Sequence, residues 1–483
     1  MTKNTMTNTR VYKYLAIGCI ALTFTACKLP EVASKTNNIA PPANYSDAAK
    51  DTVNMAQLAR KKYFTDPYLN AIIDSAMVNN QDLNITLQEI EIARNEVRAR
   101  KGEYLPFLGA GANAGLDKVG RYTNIGALED NLPIKGGKAM PDPLPNYMLG
   151  LNASWEIDIW GKLHNAKKAA VSRYLATVEG RNFVITNLVA EIASSYYELL
   201  ALDNQLEIVK QNITIQTNAL EIVKYQKIAA RVTELAVKRF EAQVLNTQSL
   251  QYDIQQKIVE AENRINFLAG RYPQTVARDH TTFNTLVPNT VVAGLPSQLL
   301  ANRPDIKQAE LNLAAAKLDV KAAKARFYPS LGISAGIGYQ AFDPKYLLNT
   351  PKSLLYNIAG DLTAPLINRN AIKAAYFTAN AKQIQALYDY QRIILNAYIE
   401  VANQMAKVGN LQKSYEYKEK EVQALTMSID ISNDLFRSTR ADYMEVLLTQ
   451  RDALESRFDL VETKLQQMSA NVSIYRALGG GWK

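Results

Sequence analysis

Apolar positions along this chain recur on two periods, one of seven residues and one of two. The seven-residue period runs through two stretches without proline, 146–272 and 366–483, whose helical interiors carry one glycine each, Gly180 and Gly409. Proline costs a helix interior about 3 kcal/mol and glycine about 1 kcal/mol, so such long runs nearly clear of both predict two long helical hairpins. A helix from about 161 to about 230 is roughly 100 Å long, several times the diameter of a compact domain. In the first hairpin Leu188, Ile192, Leu199, Leu202, Leu206, Val209, Ile213, Leu220 and Val223 alternate steps of four and three, with Ser195 and Gln216 at the polar positions. Phe240, Val244, Ile254, Ile258, Ala261, Ile265 and Leu268 keep step on the return, and Leu454, Phe458, Val461, Leu465, Met468, Val472 and Tyr475 do so in the second hairpin. A strict heptad implies left-handed supercoiling along a narrow seam.

The two-residue period precedes each hairpin. Leu149, Leu151, Ala153, Trp155, Ile157 and Ile159 alternate with Gly150, Asn152, Ser154, Glu156 and Asp158, which predicts a strand with two unlike faces. The pattern recurs from Leu331 to Gln340 and from Leu354 to Ala364, with a weaker fourth candidate over 105–116. Loops over about 120–146 and about 341–352 join the strands as two pairs. Lys168-Ala169-Ala170 matches Lys373-Ala374-Ala375, Leu105-Pro106-Phe107-Leu108 matches Tyr328-Pro329-Ser330-Leu331, and 232–237 matches 441–446. Both halves therefore read helix, strand, strand, long helix, return helix. The expected organisation is a signal peptide over 1–26, an N-terminal segment over 27–60, a first repeat over 61–280 and a second over 281–483.

Alternating strands of about ten residues are long enough to cross a bilayer. Four strands cannot do so alone, because the edge N–H and C=O groups of an open sheet are unpaired in lipid at several kcal/mol each. Closure needs several copies, which a cyclic oligomer supplies; this argument leaves their number open.

Composition narrows the chemistry. The chain has 483 residues, 47% hydrophobic and 21% charged, with a formal charge of +9 and only two histidines, His164 and His280. The basic residues read as scattered along helices, with no basic-aromatic cluster, which argues against a nucleic acid partner. No nucleotide loop, metal-ligand cluster or nucleophile motif is present, so neither enzymatic activity nor a cofactor is expected. Gly479-Gly480-Gly481 reads as a flexible chain end. Lys3, Arg10 and Lys13 precede an apolar run over 14–26 that ends in Phe24-Thr25-Ala26-Cys27, a secretory signal whose small residues before cysteine resemble a bacterial lipoprotein signal. Cys27 is then the acylated first residue of the mature chain, with Phe24 where leucine is usual.

The chain as a whole resembles the TolC-like outer membrane factor family, in the lipoprotein branch that serves tripartite efflux pumps of the resistance-nodulation-division type. The motifs are Trp155-Glu156-Ile157-Asp158-Ile159-Trp160-Gly161-Lys162-Leu163, Leu299-Leu300-Ala301-Asn302-Arg303-Pro304-Asp305-Ile306, Phe327-Tyr328-Pro329-Ser330-Leu331 and Arg476-Ala477-Leu478-Gly479-Gly480-Gly481-Trp482. The resemblance implies a mixed α and β fold: a homotrimer whose chains, four strands each, close a twelve-stranded outer membrane barrel continued by a coiled-coil periplasmic tunnel. It implies outer membrane lipid, a periplasmic adaptor of the membrane fusion type and an inner-membrane transporter as partners. The function it implies is passive export of drugs or other small toxic compounds. Protein secretion or metal export on the same fold is the alternative, and a poreless coiled-coil lipoprotein a distant one.

By the same resemblance Arg231, Val232, Thr233, Thr439, Arg440 and Ala441 form adaptor-contacting tips, with Arg231 and Arg440 where the family has a turn glycine. Glu445 and Leu448 fall on the two gate positions, with Asp442, Tyr443 and Arg440 as contacts that hold the closed state. Phe436 replaces a frequent tyrosine.

Overall fold

The computed structural model describes residues 30–33, 35, 41–45, 54–134, 137–281, 283–367, 369–438 and 440–482. The expected leader, Cys27 and Thr439 lie outside the described residues. The chain divides into two compact units, one comprising Ile92–Tyr174 and Leu311–Leu387 with the described residues before 36, the other Asn37–Glu91, Leu175–Glu310 and Tyr388–Lys483.

The elements follow the repeated order. Helices α1 (Pro67–Asn79) and α2 (Gln81–Glu103) lead to β1 (Phe107–Asp117), a short α3 (Asn124–Asn131), β2 (Leu144–Ile157), α4 (Lys162–Ile228) and α5 (Glu234–Leu268). The second half runs α6 (Pro304–Ala325), β3 (Ser330–Ala341), β4 (Leu354–Thr363), α7 (Asn370–Arg437) and α8 (Tyr443–Ala477). The long helices have 67 and 68 residues and both return helices 35, so the duplication is nearly exact in length. The loop expected over 120–146 contains α3, nucleated where the Thr123 hydroxyl accepts the Gly126 N–H at 3.1 Å.

All four strands form one antiparallel sheet in the order β1-β2-β3-β4. The two expected pairs are therefore joined through β2 and β3, where Leu151 faces Ile337 and Gly150 faces Gly338. A Cβ on Gly338 would stand 2.6 Å from the Leu149 carbonyl oxygen and 2.8 Å from the Gly150 Cα, so only glycine permits this approach. From β2 the chain turns into α4 through the Trp155–Leu163 motif: the Asp158 carboxylate accepts the N–H groups of Leu163 at 3.1 Å and His164 at 2.7 Å, filling orphan donors of the first turn. Trp160 stacks on Tyr328 with centroids 4.7 Å apart and donates Nε1–H to the Pro329 carbonyl at 2.7 Å. Two of the sequence motifs thus meet at the end of the sheet.

The heptad seams are the core of the helical unit. Leu188, Ile192, Leu199, Leu202, Val209, Leu220 and Val223 of α4 are buried, as are Val461, Met468, Val472 and Tyr475 of α8. Segment 54–66 packs on α8 through a stack of Tyr63 on Tyr475 at 3.9 Å. Tyr63 donates its hydroxyl to the Asn471 carbonyl at 2.8 Å, Tyr475 to the Leu58 carbonyl at 3.0 Å, and Tyr196 to Asp66 at 2.9 Å. Arg303 is 7% exposed; it donates to both Asp305 oxygens at 2.8 and 3.0 Å, to Glu400 at 2.8 Å and to the Ala477 carbonyl at 2.7 Å. Burial opposes its charge, but Asp305 and Glu400 outweigh that and hold the guanidinium above its ordinary value.

The terminal glycines are not a flexible end. Gly479 and Gly481 take φ of +90° and +102°, and a Cβ on Gly479 would lie 2.6 Å from the Asn302 carbonyl. The run is buried because it turns the chain tightly beside Arg303, a role that glycine's left-handed freedom supplies.

Two outcomes follow from this packing. Gly338→Val forces backbone atoms apart and is expected to cost on the order of 1–3 kcal/mol or more, whereas Gly111→Val, which meets nothing within 4 Å, is tolerated; urea unfolding in detergent separates the two. Burial pushes the Tyr475 phenol from its usual 10 up to about 12, and Tyr63 and Tyr196 also rise. A phenol raised on folding stabilises fully below its unfolded value and loses that contribution as pH climbs through the folded one. The melting temperature should therefore fall above pH 10, and less steeply in Tyr475→Phe.

Candidate functional site

Directly opposed residues of neighbouring strands share a face, so the register sorts the sheet into two chemistries. One face carries rungs such as Leu108, Ala153, Ala335 and Ile358, then Ala110, Leu151, Ile337 and Tyr356, then Ala112, Leu149, Tyr339 and Leu354. No polar side chain other than a tyrosine hydroxyl or the indole of Trp155 interrupts it. The other face carries Gly109, Asn152, Gly336 and Asn357, then Gly111, Gly150, Gly338 and Leu355, with Glu156, Gly332 and Asp361 at one end. Two approaches on this face are close: besides the Gly338 one, a Cβ on Gly332 would stand 2.7 Å from the Asp361 Oδ1.

The apolar face is left uncovered, with Ile358 79%, Tyr356 78% and Leu108 68% exposed. Strands of 10–14 residues match the length a bilayer requires. Aromatic side chains gather at both strand ends, Tyr104, Trp155, Trp160 and Tyr328 at one and Tyr147, Tyr339 and Tyr356 at the other, as in the girdles of lipid-facing sheets. Strands β1 and β4 are the sheet's edges, each with only one neighbour.

The second locus is the pair of helical turns. Two residues past the end of α4 stands Ala230, held at φ +59°, with the Arg231 N–H donating to the Gln226 carbonyl at 2.9 Å; the Arg440 N–H repeats that bond to Leu435 at 2.8 Å. The left-handed position is therefore Ala230 and not Arg231, which stands one residue beyond it. Lys227 pairs with Glu234 across the first turn and holds that carboxyl below its ordinary range. Thr233 and Asp442 are equivalent N-caps of α5 and α8, neither with a side-chain cap bond. The two turns share a core in which Phe436 and Val446 pack with Leu220, Val223, Val237 and Phe240, and Arg239 Nη1 lies 2.9 Å from the Met444 sulfur. Arg231, Val232, Thr233, Phe436, Ala441, Asp442 and Tyr443 line an open cleft of about 300 Å³ between them.

Most of the expected tip residues thus meet at one place. Glu445 and Leu448 do not line the cleft. They stand exposed on α8, in line at steps of three and four with Asp452, Glu455, Asp459 and Glu462, all exposed. The spacing alone gives that acidic rail, on a helix that also carries a buried heptad. Among the described residues no group of three or more His, Cys, Asp or Glu is placed to hold a metal ion, and no helix is long and apolar enough to cross a membrane.

This architecture has relatives. The chain is 28% identical to the cation efflux system protein CusC of Escherichia coli CFT073 over 96% of its own length and 98% of the relative's, and 28% identical to the pyoverdine export outer membrane protein OpmQ of Pseudomonas aeruginosa over 87% of each. The solved structure of CusC superposes with a TM-score of 0.80 at 25% identity, covering 94% of this chain and 99% of that one. The open-state MtrE outer membrane channel of Neisseria gonorrhoeae shares the fold at a TM-score of 0.80, with 94% and 98% covered. The profile described as outer membrane efflux protein matches residues 72–271 and 295–480, and by that match the chain belongs to the outer membrane efflux protein family.

Proposed function

We propose that three copies of this chain join β4 of one to β1 of the next, closing a twelve-stranded outer membrane barrel around the glycine-rich face, with the helical hairpins as its periplasmic duct. The observation that carries the reading is the pairing of an uncovered apolar face with two open edges in one four-stranded sheet. Lipid covers the first, and neighbouring copies satisfy the second. Small toxic compounds pass along the duct passively, delivered by an energised inner-membrane transporter through a periplasmic adaptor that docks at the turns around Arg231, Val232, Thr233, Thr439, Arg440 and Ala441. Acylation of Cys27 anchors the chain in the same leaflet: Val32 packs beside Phe327 and Tyr376 near the end of the sheet, and Asn380 donates to the Ala33 carbonyl at 3.2 Å.

Glu445 and Leu448 form the gate, with Asp442, Tyr443 and Arg440 as contacts of the closed state. Three copies of Glu445 around an axis repel one another and attract cations, while Leu448 supplies an apolar constriction. On this reading the duct performs no chemistry of its own. Similarity to CusC over nearly the whole chain favours metal cations as a second cargo class; they would pass along the acidic rail of α8 rather than be held by it.

Planar bilayers test the duct and its gate. The wild-type protein is expected to conduct rarely and with cation preference, and Glu445→Ala with Leu448→Ala to open it several-fold more often. Absence of channels from both proteins counts against a pore altogether. Deleting the gene should sensitise cells to small toxic compounds or to metal cations, whichever is the cargo, whereas failed secretion of a polypeptide would reassign it.

A further inference from the structure

The net positive charge of the chain is concentrated where helices meet the end of the sheet. Phe107, Ile157, Ser330 and Thr363 are the strand termini at that end, and α2, α4, α6 and α7 join there within a few residues. Residues 162–178 hold four Lys or Arg and no acid, 320–342 hold three and none, 362–388 hold three and none, and 94–104 hold four against two acids. These segments exceed the formal +9 of the whole chain, so the remainder is net acidic.

They also lie side by side. Arg173 of α4 pairs with Asp319 of α6, Arg94 of α2 stands 5.9 Å from the Tyr174 ring, and Arg369 beside α7 lies 5.0 Å over the Phe327 ring after α6. Lys168, Lys321, Lys324, Arg326 and Lys373 are exposed, with no carboxylate partner among the described residues. Arg326 borders an open cleft of about 230 Å³ floored by the Trp160–Tyr328 stack. Helix stability does not account for the arrangement. Cations near the start of α4 and α7 oppose the positive end of the helix dipole, and neither helix has an acid in its first turn. Only the cations closing α2 and α6 suit their helices.

We infer that this collar binds anionic phospholipid headgroups of the leaflet facing the periplasm, its cations taking the phosphates while Trp160 and Tyr328 lie against the glycerol and upper acyl region. The occupant follows from position and charge: the collar continues directly from the apolar strand face, and a phosphate surface next to that face is what exposed, unpaired cations and interfacial aromatics complement. The inference rests on the outer membrane reading of the sheet.

Full-length protein is placed in nanodiscs of phosphatidylcholine containing a minor fraction of phosphatidylglycerol, and bound lipid is counted by native mass spectrometry. The wild type should retain phosphatidylglycerol in excess of its share, less so as salt is raised. Lys321→Gln with Lys324→Gln and Arg326→Gln should lower that enrichment at least about tenfold, while Lys257→Gln with Lys407→Gln and Lys413→Gln, exposed cations elsewhere, should not. Equal enrichment in both triple variants overturns the inference, as does displacement of the lipid by millimolar inorganic phosphate, which would mark a free-anion site. Conductance of the same samples separates the two readings: channels without lipid selection sink the collar alone, and no channels in the wild type sinks the membrane-spanning sheet.

Discussion

The backbone hydrogen bonds of β1 and β4 constrain everything else in this molecule. A strand edge tolerates water but not hydrocarbon, and this sheet has two edges beneath an apolar face that water does not suit. Neither requirement can be met inside one chain. The register adds a close approach: glycine stands opposite glycine between β2 and β3, where a side chain would push the two strands apart.

Helical length obeys a different rule. Heptads on α4, α5 and α8 bury one seam, and the turns at Ala230 and before Arg440 stop each long helix after almost the same count. Apolar contacts from segment 54–66 and α1 join these helices to the rest of their unit, and a polar node adds to them. Arg303 joins the start of α6 to Glu400 of α7 and to the end of α8, and removing it would leave the half-buried Asp305 carboxylate without its cation. Beside it Gly479 lies against the Asn302 carbonyl and the Arg303 backbone nitrogen, where a Cβ would clash.

Much of this was legible from the order of residues. The alternation fixed three strands to within a few residues, β2 beginning earlier than expected at Leu144, and the heptads gave the hairpin cores because period is a property of neighbours in sequence. The losses share a cause. The basic collar was read as scatter because its members come from four segments far apart in the chain, and only the sheet collects them. Gly479 was read as slack because nothing local reveals that Asn302 lies against it. A left-handed alanine such as Ala230 has no sequence signature, and the glycines and prolines around α3 mask it. At the candidate gate Glu445, Leu448 and Asp452 share the steps of three and four that the buried seam also has, so period alone does not separate a surface rail from a core stripe on a helix that carries both.

Seven glycines, among them Gly109, Gly111, Gly336 and Gly338, occupy the polar face of this sheet. A wall so rich in glycine offers a traveller little to grip: between side chains such as Met148, Glu156 and Gln340, much of what faces the water is bare peptide. Such tubing is wettable and almost indifferent to what flows through it, so discrimination between cargoes has to be made upstream, before anything enters.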